Sequence, residues 1–156
     1  MNKDIDEHEL NERVAVLRKL KELLLDQRCK FQEYLTVLEK QEVSIDNEDM
    51  DKLPAYIELE QRIVGTISDL QKVIKPMEVL YKNAYPENNT EIPALQTDLS
   101  KLQTQILMQN EKNRHALRTR MSSVRTKISG IKNPYAKARS IYAQSADTAA
   151  LVNIRT

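Results

Sequence analysis

The chain has 156 residues, a mass of 18.1 kDa, and 24 basic against 23 acidic side chains, a net charge of +1. Two glycines are too few for the positive-φ turns and phosphate-cradling loops of a loop-rich enzyme, and one cysteine excludes an intramolecular disulfide. No run of about 18 apolar residues is present to span a bilayer. Leu, Glu, Lys, Gln, Arg and Ile dominate, the composition of long helices. The acidic start MNKDIDEHELNER does not read as a secretory signal, so the expectation is a cytosolic, non-enzymatic helical protein.

The first element is expected over about residues 5–43. Leu10, Leu17, Leu24, Phe31, Leu38 and Ile45 stand seven apart, and Val14, Leu20, Tyr34 and Leu35 widen the stripe to one helix face. Arg18, Lys19, Glu22, Asp26, Glu33 and Lys40 fall on the other face. A helix of about 38 residues is about 57 Å long, which suits an elongated bundle or coiled coil.

The polar stretch SIDNED, 44–49, breaks the pattern. A second helix is expected over about 49–82, with Pro54 in its first turn. Tyr56, Ile63, Leu70 and Met77 again stand seven apart, joined by Ile57, Val64, Ile67, Val73, Ile74 and Leu80. Pro76 either kinks or ends this helix; Met77, Leu80 and Tyr81 continue the stripe and favour a kink. The segment NAYPENNTEIP, 83–93, reads as a surface loop.

A third helix is expected over about 93–129. Leu95, Leu99, Leu102 and Ile106 are evenly placed, then Gln109, Asn110 and Asn113 fall where apolar residues are due. Such residues are expected to weaken packing at that turn. The stripe resumes at Leu117, Met121, Val124, Ile128 and Ile131, and Gly130 can close the helix in a left-handed cap. The fold expectation is an all-α, elongated, antiparallel three-helix bundle over 1–131, followed by a flexible or partner-ordered tail over 132–156. The heptads also permit a homodimer.

Charge is segregated. Residues 1–111 hold 14 basic and 22 acidic side chains; residues 112–156 hold 10 basic and 1 acidic. The plain explanation is an acidic bundle paired with its own basic third helix; the sharper one is a site for an acidic partner. Against nucleic acid, the cations are spread round the helix and no RNP-type or Gly-rich motif accompanies them. No catalytic motif is present: no GxSxG, HExxH, Walker loop or GxGxxG. His8 and His115 lack partners at metal spacing, so no metal or cofactor is expected. Cys29, between Arg28 and Lys30, reads as a plain helix cysteine.

Two features can bind other proteins: a groove between long helices, which accepts an amphipathic helix, and the tail with its scattered Tyr, Ile, Leu and Val. The candidate partner-binding residues are Arg114, Arg118, Arg120 and Arg125 for steering, with Tyr135, Ile141, Tyr142, Leu151, Val152 and Ile154 for apolar contact. Leu117, Met121, Val124 and Ile128 could join them, although the simpler expectation is that these four face the protein's own bundle.

The run LRKLKELLLDQRCKFQEYLTVLEKQEVSIDNEDMDKLPAYIELEQRIVGTISDLQKVI resembles the FlgN-like flagellar export chaperones. The likeness rests on a leucine-rich first helix around Phe31 and Tyr34, then Leu35 and Leu38, a polar break with acids, and Leu53 opening the second helix. The closing segment NPYAKARSIYAQSADTAALVNI is similar to the family's ending. The resemblance implies a cytoplasmic, non-enzymatic type III secretion chaperone. It would bind hook-associated subunits, prevent their premature assembly, and deliver them to the export gate and its ATPase-associated components. It places the binding activity in the part mapping onto about Arg114 to Ile154. The rival readings are a structural coiled-coil adaptor of the export machinery and a nucleic-acid binder with a basic end.

Overall fold

The computed structural model describes residues 6–84 and 90–130. They form three α-helices: α1, Glu7–Asp46; α2, Leu53–Ala84; and α3, Glu91–Gly130. The fold is all-α, a three-helix bundle. The chain divides into two compact units, Met1–Arg118 and Thr119–Thr156, and α3 crosses that boundary.

The core lies in the first unit. Leu20, Leu24, Leu38 and Ile92 are fully enclosed, with Leu23, Phe31, Val37, Ile63, Ile67, Ile74, Leu95, Leu99 and Ile106 around them. Heptad spacing delivers these residues to one face of each helix, and their burial drives assembly. The surface residues of α1 named from the pattern, Arg18, Lys19, Glu22, Asp26, Glu33 and Lys40, are all exposed.

The short 47–52 connection makes α2 antiparallel to α1. Ion pairs show that α3 runs parallel to α1: Lys21 with Glu91 at 3.0 Å, Arg28 with Asp98 at 3.6 Å, and Glu42 with Lys112. Each partner lies 70 residues after its mate, which is ten heptads, so the two helices keep one register. These bridges are partly exposed and contribute little stability individually; they report alignment.

Several boundaries differ from the sequence expectation, each for a local reason. α1 continues to Asp46 because Ile45 still reaches the core. The Asp49 N–H then donates to the Ser44 carbonyl at 2.9 Å, and the Glu48 N–H donates to that of Ile45 at 3.2 Å. Glu48 takes φ 57°, so the helix ends in a Schellman turn without glycine. α2 runs through Pro76 to Ala84. α3 starts two residues earlier than expected, which brings Ile92 into the core. Gly130 keeps a helical backbone, with no positive φ, and forms no left-handed cap. The expected apolar stripes are wider than the core needs: Ile57, Val64, Val73 and Leu80 on α2, and Leu10 and Val14 on α1, are exposed. The expected tail, 132–156, lies outside the described residues.

Candidate functional site

The C-terminal part of α3 carries the sequence-predicted cations. Leu117, Met121, Val124 and Ile128 follow a 4-3-4 spacing, which places them in one narrow stripe along a helix turning 100° per residue. The same geometry puts Arg118 and Arg125 along one border of the stripe, and Arg120 and Lys127 along the other. No residue from Arg114 to Gly130 is buried. Met121 is 49% exposed, Val124 53% and Ile128 64%.

This corrects the simpler expectation that these residues face the protein's own bundle; only Leu117 is half-buried. A large apolar side chain gains roughly 1.5–3 kcal/mol when fully buried, so the stripe holds binding free energy that the described fold leaves unused. Arg114, Arg118 and Arg125 are exposed and Arg120 is half-buried. Tyr135, Ile141, Tyr142, Leu151, Val152 and Ile154 lie outside the described residues.

In the first unit, the three helices share a polar layer. The Tyr34 hydroxyl donates to Glu60 Oε1 at 2.9 Å, and Gln41 Nε2 donates to Glu60 Oε2 at 2.7 Å. Gln109 Nε2 lies 2.6 Å from Glu42 Oε2 and 2.9 Å from Asn113 Oδ1, able to donate to both. Asn113 Nδ2 donates to the Leu38 carbonyl at 2.7 Å. Lys112 closes the set on Glu42.

Gln41 and Asn113 are buried, and their hydrogen bonds offset the cost of desolvating them. Gln109 and Asn113, the polar residues that interrupt the α3 stripe, thus pair with α1 across the bundle. Burial, followed by the bond to Glu60, pushes the Tyr34 hydroxyl up to about 12. Hydrogen bonds from Lys112 and Gln109 hold the Glu42 carboxyl below its usual range, and Glu42 raises Lys112. The sequence reading missed Gln41, Glu42 and Glu60. Their signal was indirect: the interruption of the α3 stripe marks the level at which polar partners must face it.

The expected groove between long helices is present between α2 and α3. Val64 and Gln71 line one wall and Gln103, Leu107 and Asn110 the other, over Phe31, Ile67 and Ile106. Around Cys29, the flanking cations are engaged: Arg28 with Asp98, and Lys30 with Glu33 at 2.9 Å. The thiol itself faces Glu33 at 3.9 Å. Among the described residues no helix is long and apolar enough to cross a membrane, and no group of three or more His, Cys, Asp or Glu could hold a metal ion.

Comparison with known proteins adds a relationship. The chain is 39% identical over 120 residues to a protein of Treponema pallidum (strain Nichols), described as an uncharacterized protein; the match covers 77% of each chain. The chain belongs to that protein's family. No family model matches the chain, and no solved structure does. The treponemal relative carries no stated activity, so the functional argument rests on the site.

Proposed function

We propose that this protein is a cytoplasmic chaperone of flagellar type III secretion. In this reading it holds hook-associated subunits in the cytosol, covers the amphipathic helices by which they assemble, and passes them to the export apparatus. The observation that carries the reading is the exposed Met121–Val124–Ile128 stripe between rows of arginine and lysine at the end of α3. A subunit end that later joins a helical assembly presents an apolar helix face beforehand, and an apolar stripe is what covers it. The flanking cations favour an acidic partner and speed the encounter. A partner held by a narrow stripe is also released readily, as delivery requires.

The test is direct binding of the full chain to purified hook-associated subunits, measured by titration calorimetry. Met121→Asp with Val124→Asp, on an exposed face, leaves the fold intact by circular dichroism and weakens binding at least about tenfold, or about 1.4 kcal/mol. Arg118→Glu with Arg125→Glu slows association most at low salt. Absence of binding to any hook-associated subunit would refute the proposal.

A further inference from the structure

We propose that the end of α3 is an interfacial helix: it lies on an anionic lipid surface, with Met121, Val124 and Ile128 set into the boundary between headgroups and acyl chains. The inference goes beyond the chaperone reading and does not rest on it. It concerns one stretch of one helix, 118–130 of α3.

At 100° per residue this stretch sorts into three sectors. Met121, Val124 and Ile128 fall within about 60° of one another, and all three are exposed. Arg118 and Arg125 border that sector on one side, Arg120 and Lys127 on the other. The opposite side holds only small hydroxyl residues and Gly130: Thr119, Ser122, Ser123, Thr126 and Ser129. The Thr126 hydroxyl donates to the Ser122 carbonyl at 3.0 Å, and the Ser129 hydroxyl to the Thr126 carbonyl at 3.0 Å. These two groups are thus turned onto the helix's own backbone. Long cationic side chains at the borders can lay their stems along hydrocarbon and raise their heads to phosphate.

Charge selects the ligand. On α1 and α2, cations stand beside acids one turn away: Arg13 with Glu9, Lys30 with Glu33, Arg62 with Glu58, Lys72 with Asp69. No acid stands within four residues of Arg118, Arg120, Arg125 or Lys127, and the sequence has none between Glu111 and Asp147. A partner helix covers one face and tolerates carboxylates on the other. An extended negative plane does not, because a helix is about 10–12 Å thick and the screening length at physiological salt is about 8 Å. An acid-free circumference therefore matches a lipid surface better than a single polypeptide. Nucleic acid would use the cations and leave the apolar sector idle. Three apolar side chains are few, so binding is shallow and reversible and needs both contributions. A lipid surface and a client would exclude each other at this stripe, which makes the membrane a place of client release.

Flotation of the full chain with vesicles tests it. Vesicles of about one-third phosphatidylglycerol in phosphatidylcholine are expected to bind at least about a hundredfold more tightly than phosphatidylcholine alone, at about fivefold per cation. Arg118→Gln with Lys127→Gln weakens binding about 25-fold on the same scale. A fourfold variant, Ser123→Val, Val124→Ser, Ile128→Ser and Ser129→Ile, keeps charge and composition but moves two apolar side chains out of the sector. It weakens binding at least about tenfold with circular dichroism unchanged. In a Cys29→Ser chain, an environment-sensitive dye on Val124→Cys shifts to the blue with anionic vesicles, and the same dye on Thr126→Cys does not. Equal affinity for neutral and anionic vesicles, indifference to the fourfold variant, or a dye at position 124 that stays in water would overturn the inference; the last is the behaviour of a plain polyanion binder. A chain that binds hook-associated subunits but ignores vesicles overturns this inference alone. One that binds vesicles but ignores those subunits overturns only the chaperone reading.

Discussion

Glu60 of α2 accepts from two residues of α1, Tyr34 and Gln41. Burial, and then the bond to this carboxylate, makes ionisation of Tyr34 unfavourable and lifts that hydroxyl to about 12 against an ordinary 10.0. The folded state therefore holds the Tyr34 proton more tightly than the unfolded chain does. The resulting stabilisation is complete below pH about 10 and is lost as pH rises through about 12. Urea titrations of wild type and Tyr34→Phe at pH 9 and pH 12 check this. The wild type loses more stability than the phenylalanine variant over that interval; equal losses would show that Tyr34 does not carry the effect. None of this was legible in the sequence. Glu60 looks like one more surface carboxylate on α2, and Gln41 like a surface residue near a helix end. Their roles depend on contacts 19 and 26 residues apart in the chain.

At the scale of the element, α2 contains both residues that helices tolerate least. Gly65 is helical and exposed, and a Cβ there would meet nothing within 4 Å. Gly65→Ala is expected to raise stability by about 0.5–1 kcal/mol through reduced freedom of the unfolded chain, read as a higher urea midpoint at unchanged slope. Pro76 does not end the helix, because Ile74 and Tyr81 are buried and Met77 packs against the core on either side of it. Packing outweighs the lost backbone hydrogen bond. The existence, order and length of the helices were legible, since heptad repetition survives any choice of window. Their ends were less so. SIDNED reads as a break, yet Ser44 and Ile45 are buried and the turn begins only after Asp46. Capping residues mark where a helix can stop; the core determines where it does.

For the whole molecule, burial is concentrated between Leu20 and Ile45 on α1 and between Ile92 and Asn113 on α3. The start of α1 and the end of α3 are helical without being covered. Native-state hydrogen exchange is expected to follow that gradient: amides of 23–41 and 95–110 exchange through global unfolding, while those of 8–17 and 119–129 exchange through local opening, orders of magnitude faster. Uniform protection along α3 would contradict it. The candidate site was half legible for the same reason. The 4-3-4 spacing and the acid-free stretch could be read from residues alone, but periodicity says which side chains share a face and not whether another helix covers that face. Leu99 and Val124 look alike in the sequence; one is buried and the other exposed.

The pairing of Asn113 with the Leu38 carbonyl has one more consequence. Repeats of seven are self-similar, so α3 could slide along α1 by a whole repeat and still find leucines opposite leucines. A slipped alignment would strand the Asn113 amide against hydrocarbon and part Gln109 from Glu42. The polar layer thus acts as the tooth of a vernier, giving up some cohesion so that a single setting of the scale is allowed.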